Sequence, residues 1–178
     1  MFCIVDSGFV PRCGLEEPDS GEARVRRIQH LIRTSLYSIH DLSRVELTPD
    51  LPRFNMPFEL GLDLGCRTFG QKNARRKRCL ILDSERRRYQ RFRFLSDIAG
   101  QDIRAHSNSP DELITEVRNW LRSTSKRATI PGPKRIKERF ARFSAVIPEY
   151  CEELGLDRHD IQFPEYVTLI EEWLKSTL

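Results

Sequence analysis

The stretch SIHDLSRVELTPDLPRFNMPFELGLDLG, Ser38 to Gly65, decides how this chain is read. It opens on a short strand-like run, Tyr37-Ser38-Ile39-His40-Asp41, that ends in polar residues. A loop with Pro49, Pro52 and Pro57 follows, and then Phe58-Glu59-Leu60-Gly61 sets one carboxylate among apolar and glycine neighbours. Desolvation disfavours the charged form of such a carboxylate, which marks it either for chemistry or for pairing with one of the many arginines. The second half carries two conflicting signals. Phe58, Leu60, Leu62 and Leu64 alternate with Glu59, Gly61, Asp63 and Gly65, the period of a strand. Yet Asn55 is a good N-cap, Pro57 is tolerated in a first turn, and Gly61 and Gly65 would form one smooth stripe on a helix.

Working outward, the pattern is of strands alternating with helices. Phe9–Cys13, Tyr37–Leu42, Cys79–Asp83 and Ile103–His106 read as strands of a parallel sheet. Glu22–Leu36 reads as a helix with Val25, Ile28, Leu31, Ile32 and Leu36 on one face and Arg24, Arg26, Arg27 and Arg33 elsewhere. Asp111–Ser123 is a helix with Leu113, Ile114, Val117, Trp120 and Leu121 on one side, and Tyr89–Ala99 is read as another. The fold class is therefore α/β, a Rossmann-like (flavodoxin-like) parallel sheet with helices on both faces. Met1–Asp6 reads as the stump of a helix closed by Gly8. A parallel α/β domain normally opens on a strand, so a first strand is expected to be missing.

After Ser123 the pattern changes. A linker ending in Pro131-Gly132-Pro133 leads to helices only. Ile136, Phe140, Phe143, Ile147, Tyr150 and Leu154 recur at helical spacing, with Pro148 as a kink or break. Tyr166, Leu169, Ile170, Trp173 and Leu174 do so after Pro164. The division is an α/β domain over residues 1–125 and an all-helical C-terminal extension over 133–178. The extension would cap the core or meet a partner protein or a second copy of the chain.

Composition bounds the function. At 178 residues, 39% hydrophobic and 31% charged, the chain can bury a core, and no apolar run approaches the ~20 residues of a membrane span. The start lacks the basic and apolar regions of a secretory signal. Cys3, Cys13, Cys66, Cys79 and Cys151 are odd in number and scattered, which indicates reduced cytoplasmic thiols rather than disulfides or a zinc site. No metal or cofactor is expected. The net charge of +4 comes from arginine clusters. The runs at 75–78 and 86–93, interleaved with Tyr89 and Phe92, suit single-stranded nucleic acid, but a solvated surface is the preferred reading.

Ligands of a parallel sheet bind at the carboxyl ends of its strands. Arg12, His40, Asp41 and Asp83 fall at or near such ends, and Glu59 on a following helix can face the same crevice. His40 is a candidate acid–base group or a structural hydrogen-bonder. Asp41 either orients a sugar or caps a turn. Ser43 and Arg44 can hold phosphate.

The segments His40-Asp41-Leu42-Ser43 and Asn55-Met56-Pro57-Phe58-Glu59-Leu60-Gly61 resemble the nucleoside 2-deoxyribosyltransferase-like superfamily and, more loosely, TIR domains. The chain also resembles bacterial proteins of unassigned function there, which share the HDLSR and FNMPFELG segments. The resemblance covers roughly residues 9–123 and is specific at Glu59-Leu60-Gly61. It tips residues 56–67 toward a helix. It implies that Glu59, with Asp41 and His40, serves the anomeric carbon of an N-glycoside. Arg12, Ser43, Arg44, Asn55, Met56 and Asp83 would then hold the substrate. The implied activity is an N-glycoside hydrolase or transferase acting on a nucleotide or NAD, in bacterial defence. The alternative is a non-catalytic module that binds a nucleotide or nucleic acid and signals through the helical tail.

Overall fold

A computed structural model describes residues 1–16, 21–43, 47–48, 51–52, 55–85 and 100–177. The expected helix over residues 89–99, the arginine run at 86–93 and the candidate Arg44 lie outside the described residues. The chain forms two compact units, Glu22–Glu116 and Met1–Gly21 with Val117–Leu178. Met1–Gly21, read from the sequence as the opening of the α/β domain, thus groups with the C-terminal helices.

The first unit holds a three-stranded parallel sheet of β1 (Tyr37–Asp41), β4 (Arg78–Asp83) and β5 (Ile103–Ala105), in the order β1-β4-β5. A two-residue hairpin, β2 (Leu47–Thr48) with β3 (Leu51–Pro52), sits in the proline-rich loop. Helices α2 (Arg24–Thr34) and α3 (Asn55–Phe69), a 3-10 turn (Ala74–Arg76) and the start of α4 (Pro110–Ser125) complete the unit. The register pairs Ser38 with Cys79, His40 with Ile81, and Ile81 with Ile103. Alternation along each strand puts these five residues on one face. There Leu60 of α3 meets Leu42, Ile81 and Ile103, with Met56, Leu64 and Cys79 packed around them.

Residues 55–69 are thus a helix, not a strand, and the period-2 signal there was an accident of leucine and glycine placement. The glycine stripe was misjudged, however. A Cβ built on Gly61 or Gly65 would meet nothing within 4 Å among the described residues, so neither serves close packing there. Helix α2 ends at Thr34, and Leu36 is exposed rather than part of a buried face.

The second unit is helical: α1 (Phe2–Asp6), the end of α4, α5 (Pro133–Leu154) and α6 (Phe163–Thr177). Phe2 is nearly inaccessible, and its ring centroid lies 5.3 Å from Phe143 and 5.9 Å from Trp173. Ile136, Ile147, Ile170 and Leu174 are buried as the spacing required, whereas Leu154 is exposed. Helix α5 runs through Pro148 without a break and ends on Gly155, whose φ of 64° suits the left-handed cap. The linker carbonyls of Pro131 and Ile130 accept hydrogen bonds from Arg118.

The expected strand Phe9–Cys13 does not form. Val10 is exposed, Phe9 lies under the Arg127 guanidinium at 4.4 Å, and Pro11 has no N–H for a ladder. Extended residues become a strand only by pairing.

Candidate functional site

The site grows from α3 lying on the Ser38–His40 face of β1. Glu59 and Asp63 are four residues apart and therefore share a side of the helix. Asp63 is 2% exposed, an unusual place for a carboxylate, and its partners explain it. Ser38 Oγ donates to Oδ2, and His40 Nε2 lies 3.2 Å from the same oxygen. Lys77, also buried, brings Nζ to 3.1 Å from Oδ1. Burial works against the charge of Asp63, but His40, Ser38 and Lys77 outweigh it and hold the carboxyl down at about 2.

Lys77 is positioned by α2. Its ammonium donates to the carbonyls of Ile32 and Ser35, both at 2.6 Å, which the end of the helix leaves without intrahelical partners. Lys77 therefore does not belong to an exposed basic patch, although Arg75, Arg76 and Arg78 are exposed.

Glu59 is half-buried in the second turn of α3. Burial raises its carboxyl above the ordinary range, while the Arg24 guanidinium and the neighbouring His40 pull it back. Two carboxylates on one helix side are thus pushed in opposite directions, the pattern by which an acid–base group and a permanent anion are told apart.

His40, Asp63 and Cys79 offer donor atoms within 4.8 Å of one another, a set that could hold a soft cation. Lys77 already supplies positive charge to Asp63, and burial pushes the Cys79 thiol up to about 11 against the pull of Ser38. A divalent ion would have to overcome both.

A second cluster lies at the carboxyl ends of the strands. Asp41 Oδ1 accepts from the Ser43 N–H at 2.9 Å and faces His106 Nε2 at 3.3 Å, with the side chain 40% exposed. Asp83 is buried; its Oδ1 accepts from the Ser84 N–H at 2.7 Å. The His106 N–H donates to the Asp83 carbonyl at 3.0 Å, tying β5 to β4.

Among the remaining sequence candidates, Asn55 is the exposed first residue of α3. Met56 packs into the core cluster rather than standing free for a substrate. Arg12 belongs to the helical unit, where Nε donates to both Glu16 carboxylate oxygens at 2.7 and 2.8 Å. Sequence reasoning missed Ser38, Asp63, Lys77 and His106. Once residues 56–67 were taken as helix, the i, i+4 spacing of Glu59 and Asp63 was a usable signal. Nothing in the local sequence marks the other three.

Among the described residues, no helix is long and apolar enough to cross a membrane. Comparison with known proteins finds no family model, no curated protein and no solved structure that matches the chain.

Proposed function

We propose that this chain cleaves or transfers an N-glycoside of a nucleotide or of NAD, with Glu59 as the carboxylate at the reacting carbon. The observation that carries this reading is the pair on α3, a half-buried Glu59 whose charge is disfavoured beside an Asp63 locked as an anion. Departure of a base from a sugar leaves a cationic carbon. A carboxylate aimed at it in a partly desolvated crevice stabilises that charge more than water would. His40, held by Asp63, is the nearby imidazole for proton traffic, while Asp41 belongs to the separate strand-end cluster with His106. The three-stranded sheet is read as part of a Rossmann-like domain, in keeping with the deoxyribosyltransferase-like resemblance. The C-terminal helices are read as an extension that meets a partner or a second copy.

The test is to incubate wild type and Glu59→Gln with NAD and a panel of nucleotides and to measure free base. Glu59→Gln keeps shape and removes charge, so release falls by orders of magnitude while the fold is retained. Equal release by both proteins removes Glu59 from the mechanism. No release by wild type, with nucleotide binding still seen by calorimetry, assigns the chain to non-catalytic binding modules.

A further inference from the structure

One end of the sheet unit carries positive charge without matching acids. No Asp or Glu lies between Glu22 and Asp41, or between Asp63 and Asp83. Those two stretches supply α2, the end of α3, the 3-10 turn and most of β4. The fold gathers their charges. Arg33 lies in the last turn of α2 and Arg67 in the last turn of α3, on which the 3-10 turn packs. Lys77, donating to the Ile32 and Ser35 carbonyls, ties that turn to the end of α2. The Arg78 N–H donates to the Leu36 carbonyl at 2.9 Å. Arg33, Arg67, Lys72, Arg75, Arg76 and Arg78 are all exposed, and none pairs with an acid among the described residues. Asp63, the carboxylate of α3 next to them in sequence, is buried and already taken by Lys77.

A solvated face is the ordinary fate of a basic run, and Arg33 and Arg67 also suit the carbonyl ends of their helices. Two further features go beyond that. A cleft of about 640 Å³ opens here, lined by Gln71, Lys72, Asn73 and Arg75. Its size falls within the roughly 300–1,000 Å³ of ligand clefts. Two residues before Gln71, Phe69 is 87% exposed, the most exposed large apolar side chain among the described residues. A ring this open can take the face of an unpaired base, while cations around it take phosphates.

We propose that this end of the unit binds single-stranded nucleic acid. Lys72, Arg75, Arg76 and Arg78 meet phosphates, Phe69 stacks on a base, and the Gln71 and Asn73 amides meet base edges. The ring and the amides choose among polyanions. A duplex keeps its bases stacked and offers no face to Phe69. An anionic membrane has no use for a concave cleft edged with amides, which both donate and accept hydrogen bonds. The site is separate from the N-glycosidase reading. Glu59 stands ten residues before Phe69, about 15 Å along α3.

The test follows the anisotropy of a labelled oligothymidylate on the full chain between about 50 and 200 mM salt. Wild type binds, and its affinity falls as salt rises. Lys72→Gln/Arg75→Gln weakens binding and reduces the salt slope by about 1.4, or about 0.7 for each lost phosphate contact. Phe69→Ala weakens binding about tenfold with the slope unchanged, and Phe69→Tyr restores it. Lys134→Gln/Arg142→Gln, which removes two exposed charges from α5 of the helical unit, changes neither. All the substituted side chains are exposed, and thermal midpoints check that each variant is folded. No binding at the lowest salt overturns the proposal, as does tighter binding of a duplex of the same length. Capture by phosphatidylserine vesicles without oligonucleotide binding overturns it in favour of a membrane surface. Equal losses in the two double variants overturn it in favour of attraction to net charge alone, and an unaffected Phe69→Ala removes the stacking that selects single strands.

Discussion

Lys77 Nζ lies 3.1 Å from Asp63 Oδ1 with both side chains almost wholly shielded from water. Neither charge is tolerable alone there, since breaking a buried pair leaves an uncompensated ion. Lys77→Met is therefore expected to lose roughly 3–5 kcal/mol in urea unfolding, and the double variant Lys77→Met/Asp63→Leu to recover a large part of it. Additive losses in the double variant would show that the two charges do not depend on each other.

Acid should find the same pair. The folded carboxyl of Asp63 lies at about 2, below its unfolded value. A depressed carboxyl contributes stability above the unfolded value and loses it as pH falls through the folded one. Asp63 thus supplies about 2 kcal/mol at neutral pH that disappears between about pH 4 and pH 2. Unfolding free energies across that window should flatten in Asp63→Asn, and an unchanged slope would speak against the assignment.

Glu59 carries the opposite sign. Its folded carboxyl is raised, so the folded state binds the proton more tightly than the unfolded state. Its contribution is present at low pH and is lost as pH rises through the folded value. Relative to wild type, Glu59→Gln should be more stable at pH 7 than at pH 4 when thermal midpoints are compared.

In the helical unit, Arg139 Nη1 donates to Asp6 Oδ1 at 2.6 Å, but burial keeps the Asp6 carboxyl raised in spite of it. Folding therefore favours neutral Asp6, and its charge weakens the fold as pH rises past the unfolded value. Asp6→Asn, which still accepts from Arg139, should change stability at neutral pH by less than about 1 kcal/mol, whereas Arg139→Met should lose several. Equal losses would reverse this reading.

Gly61 and Gly65 stand inside α3 with open space where a Cβ would go. Alanine at either position should add roughly 0.5–1 kcal/mol through helix propensity. Alanine at Gly70 should destabilise, because its Cβ would come within 2.3 Å of the Cys66 carbonyl oxygen and 2.6 Å of the Ala74 Cβ. Chemical denaturation of the three variants separates these outcomes.

Much of the local structure was legible in the residues. The apolar spacing of Ile136, Phe143 and Ile147 and of Ile170 and Leu174 marked buried helix faces, and Tyr37–Asp41, Arg78–Asp83 and Ile103–Ala105 carried strand patterns. Local spacing determines these because 3.6- and 2-residue periods come from single-chain geometry. Glu59 stood out for the same reason, as a carboxylate in an apolar neighbourhood.

Pairing across long sequence distances was decided by the tertiary structure alone. Phe9–Cys13 had strand chemistry but is not among the strands of the described residues, and Lys77 sat in a run of basic residues yet became a buried counter-ion. Ser38, Asp63 and Lys77 meet from a strand, a helix and a loop, and Asp41 meets His106 from another strand's end. The free energy of a charge or a hydrogen bond depends on which groups surround it and how far water is excluded, and those neighbours are set by the packing of α3 on β1 and β4 rather than by adjacent residues.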